Sequence, residues 1–144
     1  MQSVTPENYV RSPFPLRVAG PEDAPFVSAL IGQDASAYMA RVTTLISDHG
    51  FFFLEPITSS VLEAHMQFDK PGRGKECLHA ARAGLRYAFD VLGAKVVFGR
   101  ISMDDRAARV FTRMIGFKSD GVRPRTPDGE MVEWFEMTAR PEAF

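Results

Sequence analysis

The sequence has 144 residues, of which 45% are hydrophobic, and its formal net charge is −1. This length suits one well-buried core, so we expect a single domain over residues 15–140 after a mobile segment at residues 1–14. No apolar run is long enough for a membrane span, and the first residues do not resemble a signal peptide, so a cytoplasmic protein is predicted. The net charge near zero argues against general nucleic-acid binding.

The first third of the chain predicts a short strand followed by two helices. Residues 16–19 alternate between polar and apolar as a short strand does. The proline and acidic residues in Gly20-Pro21-Glu22-Asp23 are typical of a first helical turn. Residues 24–31 and 35–47 carry apolar side chains at helical spacing, so a helix is predicted over each range.

Two strands then form a predicted hairpin. Residues 51–57 are apolar enough to be covered on both faces, and residues 60–68 form the partner strand. Glu63 and His65 lie two positions apart on this second strand, so their side chains are expected to share one face of the sheet.

The turn Pro71-Gly72-Arg73-Gly74-Lys75-Glu76 joins that strand to a helix predicted over residues 74–91. Because the first N–H groups of a helix have no partner within it and the helix dipole is positive there, such a turn can bind phosphate. Residues 70–125 hold thirteen basic and five acidic side chains, whereas residues 1–69 hold three and eight. This division favours an anionic ligand near the turn, although Pro and Gly could also serve only to turn the chain.

The remaining elements complete an alternating pattern. Residues 95–101 predict a buried strand, and Asp105 is placed to cap a helix that runs to Ile115. Residues 117–122 and 131–139 predict two final strands. The order of elements implies an α/β sheet whose central pair of strands is connected by a helical crossover.

Two segments, EAHMQFDKPGRGKECLHAARAGLRYAF and DDRAARVFTRMIGF, resemble the GNAT N-acetyltransferase superfamily. Its members carry a Q/R-x-x-G-x-G/A pyrophosphate loop and a later helix that ends in a Gly-Phe pair. The order and spacing match over about residues 50–138, and the narrower likeness is to small GNAT-like proteins encoded by phages and prophages. The resemblance implies the GNAT fold, a mixed central sheet with a splayed parallel pair of strands flanked by helices.

The resemblance also implies acetyl-CoA as cosubstrate, held in a cleft between the strands at residues 60–68 and 95–101. Backbone groups near Met66 and Phe68 would bind the pantetheine arm, and N–H groups of the turn would bind the pyrophosphate. The predicted cofactor-binding residues are Met66, Phe68, Arg73, Gly74, Lys75, Glu76, Cys77, Asp105, Ala108 and Phe111. No metal site is predicted.

Glu63 and His65 are the candidate catalytic residues. A carboxylate and an imidazole on one wall of a cleft could accept a proton from an amine, directly or through water, or could bind a cationic acceptor. The structural alternative is a hydrogen-bonded strand histidine with Glu63 as its partner. Cys77 fits a small packed residue better than a nucleophile.

Two residues depart from the superfamily pattern. Glu76 occupies the place of the second glycine, where its carboxylate would repel a pyrophosphate unless the side chain turns outward. Thr112 stands where many members have the tyrosine that protonates the leaving thiolate.

The function predicted from these observations is transfer of an acetyl group from acetyl-CoA to an amine of a small molecule or protein. The alternative is a catalytically degenerate GNAT-fold binding or structural protein of phage or prophage origin. Nucleic acid is the least favoured partner, because acidic residues interrupt the basic region and aromatic residues for base stacking are not interleaved with it. A homodimer formed through an apolar face or an edge strand is possible.

Overall fold

The computed structural model describes residues 16–127 and 129–141, so the prediction for residues 1–14 lies outside the described residues. The described strands are β1 Arg17–Val18, β2 Thr43–Ser47, β3 Gly50–Pro56, β4 Val61–Phe68, β5 Val96–Ser102, β6 Lys118–Pro124 and β7 Met131–Met137. The described α-helices are α1 Ala24–Ile31, α2 Ser36–Met39, α3 Lys75–Asp90 and α4 Arg106–Met114, and short 3₁₀ helices span Pro21–Asp23 and Lys70–Gly72. None of the helices in the described ranges is long and apolar enough to cross a membrane.

The helix predicted over residues 35–47 is wrong in its second half. The structure has a helix only at α2, and Thr43 to Ser47 form β2, which pairs antiparallel with β3. Leu45 and Ile46 are both buried but belong to different cores on opposite faces of the sheet. A strand covered on both faces is apolar at consecutive positions, which a helical pattern can imitate over a few residues.

The seven strands form one sheet in the order β1-β2-β3-β4-β5-β7-β6. Every neighbouring pair is antiparallel except β4 and β5, which run parallel and are joined through α3. Their pairing covers only Val61 to Glu63 opposite Val96 to Phe98. The rest of both strands is not hydrogen-bonded to the other, which leaves a cleft in the middle of the sheet. The predicted mixed sheet with a splayed parallel pair and flanking helices is therefore confirmed.

Two hydrophobic cores lie on opposite faces of the sheet. The larger core packs the buried side of α3 against residues such as Phe52 and Phe135, and the smaller packs α1 and α2 against Phe51 and Phe53. α3 contributes small residues to the larger core, and Gly84 brings its backbone close to the ring of Phe52. Beside the part of the sheet that α1 and α2 cover, a cavity lies against polar side chains of β4 and β5, among them His65 and Arg100.

Candidate active site

Two cavities meet where β4 and β5 part. The larger, of about 570 Å³, lies between the α1–α2 region and strands β3 and β4. The smaller, of about 180 Å³, lies between β4, β5 and α4. His65, Met66 and Arg100 line both cavities. A molecule in one cavity would therefore come close to a molecule in the other beside these three side chains.

Glu63 forms the buried floor of the larger cavity. Its side chain is 4% exposed, and its two carboxylate oxygens accept hydrogen bonds from Nε and Nη2 of Arg100 at 2.7 and 3.0 Å. Burial by itself would raise the pKa of Glu63, but the interactions with His65 and Arg100 outweigh it and lower the pKa to about 2. The carboxylate is thus ionised at neutral pH and has little tendency to take up a proton.

Acid should reveal this pairing in the stability of the protein. Because the pKa of Glu63 lies below the ordinary 4.5, the unfolded chain takes up the proton more readily than the folded one as the pH falls. We expect Glu63 to contribute about 3 kcal/mol of stability that is present above pH ~4.5 and lost as the pH falls to ~2. Urea unfolding at several pH values checks this, with Glu63→Gln as comparison. A variant with the same slope as the wild type would contradict the pairing.

Glu55 and Tyr38 complete the polar wall around Glu63. Glu55 lies directly opposite Glu63 in the β3–β4 register, and the Tyr38 hydroxyl donates a hydrogen bond of 2.6 Å to Glu55 Oε1. Burial and this hydrogen bond raise the pKa of Tyr38 above its usual range, so the hydroxyl remains a donor. Nε2 of His65 lies 3.6 Å from Glu63 Oε1 and 3.7 Å from Glu55 Oε1. His65 therefore stands between two carboxylates at the junction of the cavities.

The same carboxylates and imidazole could be considered as cation ligands. One ligand atom each from Glu55, Glu63 and His65 lies within 4.8 Å of the others. However, both Glu63 oxygens accept hydrogen bonds from Arg100, and its positive charge opposes a metal ion at the same point. We interpret the cluster as a polar wall, and the sequence-based expectation of no metal stays a prediction.

The smaller cavity contains some of the predicted cofactor-binding residues but not others. Met66, Ala108 and Phe111 line it, as does Thr112. The side chain of Phe68 is buried in the larger core, and its carbonyl oxygen accepts a hydrogen bond from Arg73 Nε. The carboxylate of Asp105 caps α4 by accepting the N–H of Ala108 at 3.0 Å. For Phe68 and Asp105 the structure thus shows packing and capping, and their contact with a cofactor stays a prediction.

The predicted phosphate-binding turn is open at the start of α3. Gly74 is the N-cap residue, and no side chain caps the first turn of this helix. Gly74 has φ of +95°, which side chains with a Cβ rarely adopt, and a Cβ built there would have no neighbour within 4 Å. Arg73 and Lys75 are exposed beside it. Uncapped N–H groups, open space and two cations fit an anionic ligand.

Glu76 and Cys77 follow in the first turn of α3. The Glu76 side chain is only 14% exposed, and its Oε2 lies 3.9 Å from Nε2 of His49. Its carboxylate is thus directed toward the β2–β3 turn. That the backbone N–H of Glu76 faces an anion stays a prediction. The Cys77 thiol is buried, and burial raises its pKa to about 12, so it remains a protonated thiol.

Sequence reasoning missed Tyr38, Glu55 and Arg100. Glu55 and Arg100 are the charged residues within the strands Gly50–Pro56 and Val96–Ser102, which are otherwise mostly apolar. A charge inside such a strand is a signal of pairing or function. Tyr38 fell within the range that was wrongly predicted as a long helix. Its place beside Glu55 depends on the packing of α2 on β3, which no local pattern encodes.

No protein-family model matches the sequence, and no curated protein matches it by sequence. Solved structures do match its fold. A variant of the spermidine N-acetyltransferase SpeG from Vibrio cholerae is similar with a TM-score of 0.73 and 14% identity, covering 86% of this chain and 94% of that chain. A chimera of SpeG from Vibrio cholerae and hSSAT has a TM-score of 0.74 and 14% identity, with 88% and 96% coverage.

A third solved structure is described as the dodecameric spermidine N-acetyltransferase from Vibrio cholerae in an intermediate state. It has a TM-score of 0.72 and 13% identity, covering 87% of this chain and 93% of that chain. At such identities the likeness concerns the fold alone. The predicted GNAT fold is confirmed by these neighbours and by the parallel pair in the sheet.

Proposed function

We propose that this GNAT-fold chain is an acetyl-CoA-dependent N-acetyltransferase that acts on a cationic amine. The observation that carries the proposal is that two cavities meet at His65. The smaller cavity lies between β4, β5 and α4, and the larger cavity is lined by carboxylates. A group-transfer enzyme requires two substrate sites that converge on the reacting atoms. The neighbours in fold support the reaction class, and their named substrate, spermidine, supports an amine acceptor.

The residues at the cleft and at the start of α3 fit acetyl-CoA. The first-turn N–H groups of α3, with Arg73 and Lys75, would hold its diphosphate, while Met66, Ala108 and Phe111 would contact the pantetheine arm in the smaller cavity. When bound there, acetyl-CoA supplies a thioester carbonyl that an amine can attack. The approach of the Glu76 side chain to His49 reduces the electrostatic objection that this carboxylate raises against the site.

The larger cavity suits a positively charged acceptor. Asp34, Glu55 and Glu63 line it with carboxylates, against the single guanidinium of Arg100. Because unlike charges attract more strongly in a partly enclosed site than in water, an ammonium would be concentrated there. Spermidine is therefore the first acceptor to test, followed by monoamines and peptide amines.

We assign proton acceptance to His65 and an orienting role to Glu63. An amine must lose a proton to attack, and a carboxylate whose pKa is about 2 is a weak base for that step. His65 lines the acceptor cavity, and the carboxylates of Glu55 and Glu63 beside its Nε2 would stabilise the imidazolium that forms. Glu63 also keeps Arg100 paired, which leaves the wall of the cavity net negative.

The binding site is tested by thermal unfolding with acetyl-CoA. Ligand at about 100 times its Kd should raise the melting temperature of the wild type by ~5 to 10 °C. Gly74→Ala should abolish most of this shift, because alanine strains the φ of +95° and displaces the loop. Gly121→Ala is the matched control, since Gly121 has φ of +97° with equally open space but lies on the edge strand β6. It should lose similar stability and keep the shift. No shift of the wild type at millimolar acetyl-CoA would overturn the proposal.

One observation favours the second candidate, a noncatalytic module, whose phage or prophage origin stays a prediction. Thr112 lines the smaller cavity, but its hydroxyl donates to the carbonyl oxygen of Ala108 at 2.7 Å, and its neighbour Phe111 has no proton to give. Neither of these two α4 side chains would therefore protonate a thiolate that leaves at this point. Thermal stabilisation by acetyl-CoA without release of free thiol in the presence of any amine would support this candidate.

A further inference from the structure

The turn between β2 and β3 braces the phosphate-binding turn from behind. The carbonyl oxygen of His49 accepts the N–H of Asp69 at 2.8 Å, and Asp69 Oδ1 in turn accepts the N–H of Gly72 at 3.0 Å. A Cβ added at Gly72 would stand 2.3 Å from the Cβ of His49. Only a glycine at this position allows the two turns to come so close. The position of the loop is therefore fixed partly by residue 49, which no sequence motif connects to it.

The imidazole of His49 lies between two carboxylates. Its Nδ1 is 3.1 Å from Oδ1 and 3.2 Å from Oδ2 of Asp69, and its Nε2 is 3.9 Å from Oε2 of Glu76. Asp69 comes from the end of β4 and Glu76 from the first turn of α3, so the ring connects the two sides of the loop. Glu76 is also the residue that replaces the second glycine of the phosphate motif.

We propose that His49 is a positioning residue for the diphosphate loop and that its protonated ring neutralises Glu76, so that affinity for CoA falls when His49 loses its proton. The inference rests on the proposed function, since it concerns the same ligand. In this arrangement the carboxylate at position 76 is tolerated beside a diphosphate because a cation accompanies it. Deprotonation leaves Asp69 and Glu76 without that cation and loosens the brace on the loop.

The direction of the pH effect follows from the groups around His49. Asp48 on its own turn, Asp69 on the loop and Glu76 on α3 face the ring, and Arg73 acts on Asp69 from the same loop. The hydrogen bond to Asp69, followed by the charges of these carboxylates, raises the pKa of His49 above 6.5. The charged form of the ring is therefore favoured, and the stabilising effect on CoA is lost as the pH rises through the pKa of His49.

Binding of dephospho-CoA at two pH values tests the inference. This probe retains the diphosphate but lacks the 3′-phosphate, whose own titration would overlap that of histidine. By titration calorimetry, the wild-type Kd should rise about three- to tenfold between pH ~6 and pH ~8.5. His49→Gln should bind weakly at both pH values, and Glu76→Gly should bind tightly at both. His79→Gln, a histidine on α3 that lines neither cavity, should keep the wild-type pH dependence.

The outcomes separate the inference from the proposed function. Equal wild-type Kd values at both pH values would overturn the role of His49 while leaving the acetyltransferase proposal intact. No binding of dephospho-CoA at millimolar concentration at either pH would overturn the role of His49. The acetyltransferase proposal falls with it only if acetyl-CoA also fails to shift the melting temperature. Should His49→Gln fail to fold, Glu76→Gly decides the question, because retention of the full wild-type pH dependence in that variant would overturn the inference.

Discussion

Replacing His65 with glutamine is expected to lower kcat for acetyl transfer by at least about 100-fold, because the amine loses its proton acceptor. Glutamine keeps the size and polarity of the side chain but cannot take up a proton. The KM for acetyl-CoA should change little, because glutamine preserves the polar surface that His65 presents to the smaller cavity and the diphosphate site lies at the start of α3. The measurement is the rate of free-thiol release from acetyl-CoA with spermidine as acceptor.

The pH dependence distinguishes loss of a base from simple distortion. The deficit of His65→Gln should shrink as the pH approaches the pKa of the amine, about 10, because more acceptor is already neutral. His79→Gln carries the same change outside both cavities and should retain wild-type kcat. If His65→Gln keeps kcat within about threefold of the wild type across this range, His65 is not the proton acceptor.

Arg100→Gln is expected to destabilise the fold by about 3 kcal/mol, because it leaves the buried carboxylate of Glu63 without its cation. The two hydrogen bonds from Arg100 satisfy both oxygens of a side chain that is almost fully enclosed. Urea unfolding at neutral pH measures the loss. The matched control is Arg125→Gln, which removes an arginine from a pair with Glu130 in which both side chains are exposed. That variant should lie within about 0.5 kcal/mol of the wild type.

Arg100→Gln also removes the packing of the guanidinium on Trp134, whose ring centre lies 5.7 Å from the guanidinium carbon. A second substitution separates this loss of packing from the effect of leaving a buried charge unpaired. In the Arg100→Gln background, Glu63→Gln should recover much of the lost stability, because the unpaired charge disappears. Purely additive losses in the double variant would mean that the effect of Arg100 does not act through Glu63.

Local patterns were sufficient for the elements that surround the cleft. The helix predicted over residues 74–91 is observed as α3, and the strands around Glu63 and Arg100 begin and end within two residues of their predicted limits. These segments have strong periodicity and clear glycine or proline boundaries. β2 was missed because a strand that is buried on both faces has no alternation to detect.

The roles of the residues in the candidate active site were harder to predict from the sequence. Two-residue spacing on a strand correctly places Glu63 and His65 on one wall. It says nothing about Arg100, which reaches Glu63 from 37 positions away along the chain and, together with His65, lowers the pKa of its carboxylate. Whether Glu63 can act as a base thus depends on Arg100, and the sequence does not show this partner because the pairing of β4 with β5 brings it to Glu63.

By itself the sequence determined the glycine turn before α3 and the shared face of Glu63 and His65, because each follows from spacing along one segment. The order of its elements indicated the α/β class, and the mixed sheet was what the resemblance to the GNAT superfamily implied. Only the tertiary structure decided which charges meet. Arg100 pairs with Glu63, Tyr38 with Glu55, and His49 with Asp69 and Glu76. These contacts join segments that are distant in sequence, and their geometry comes from strand register and helix packing rather than from local preference.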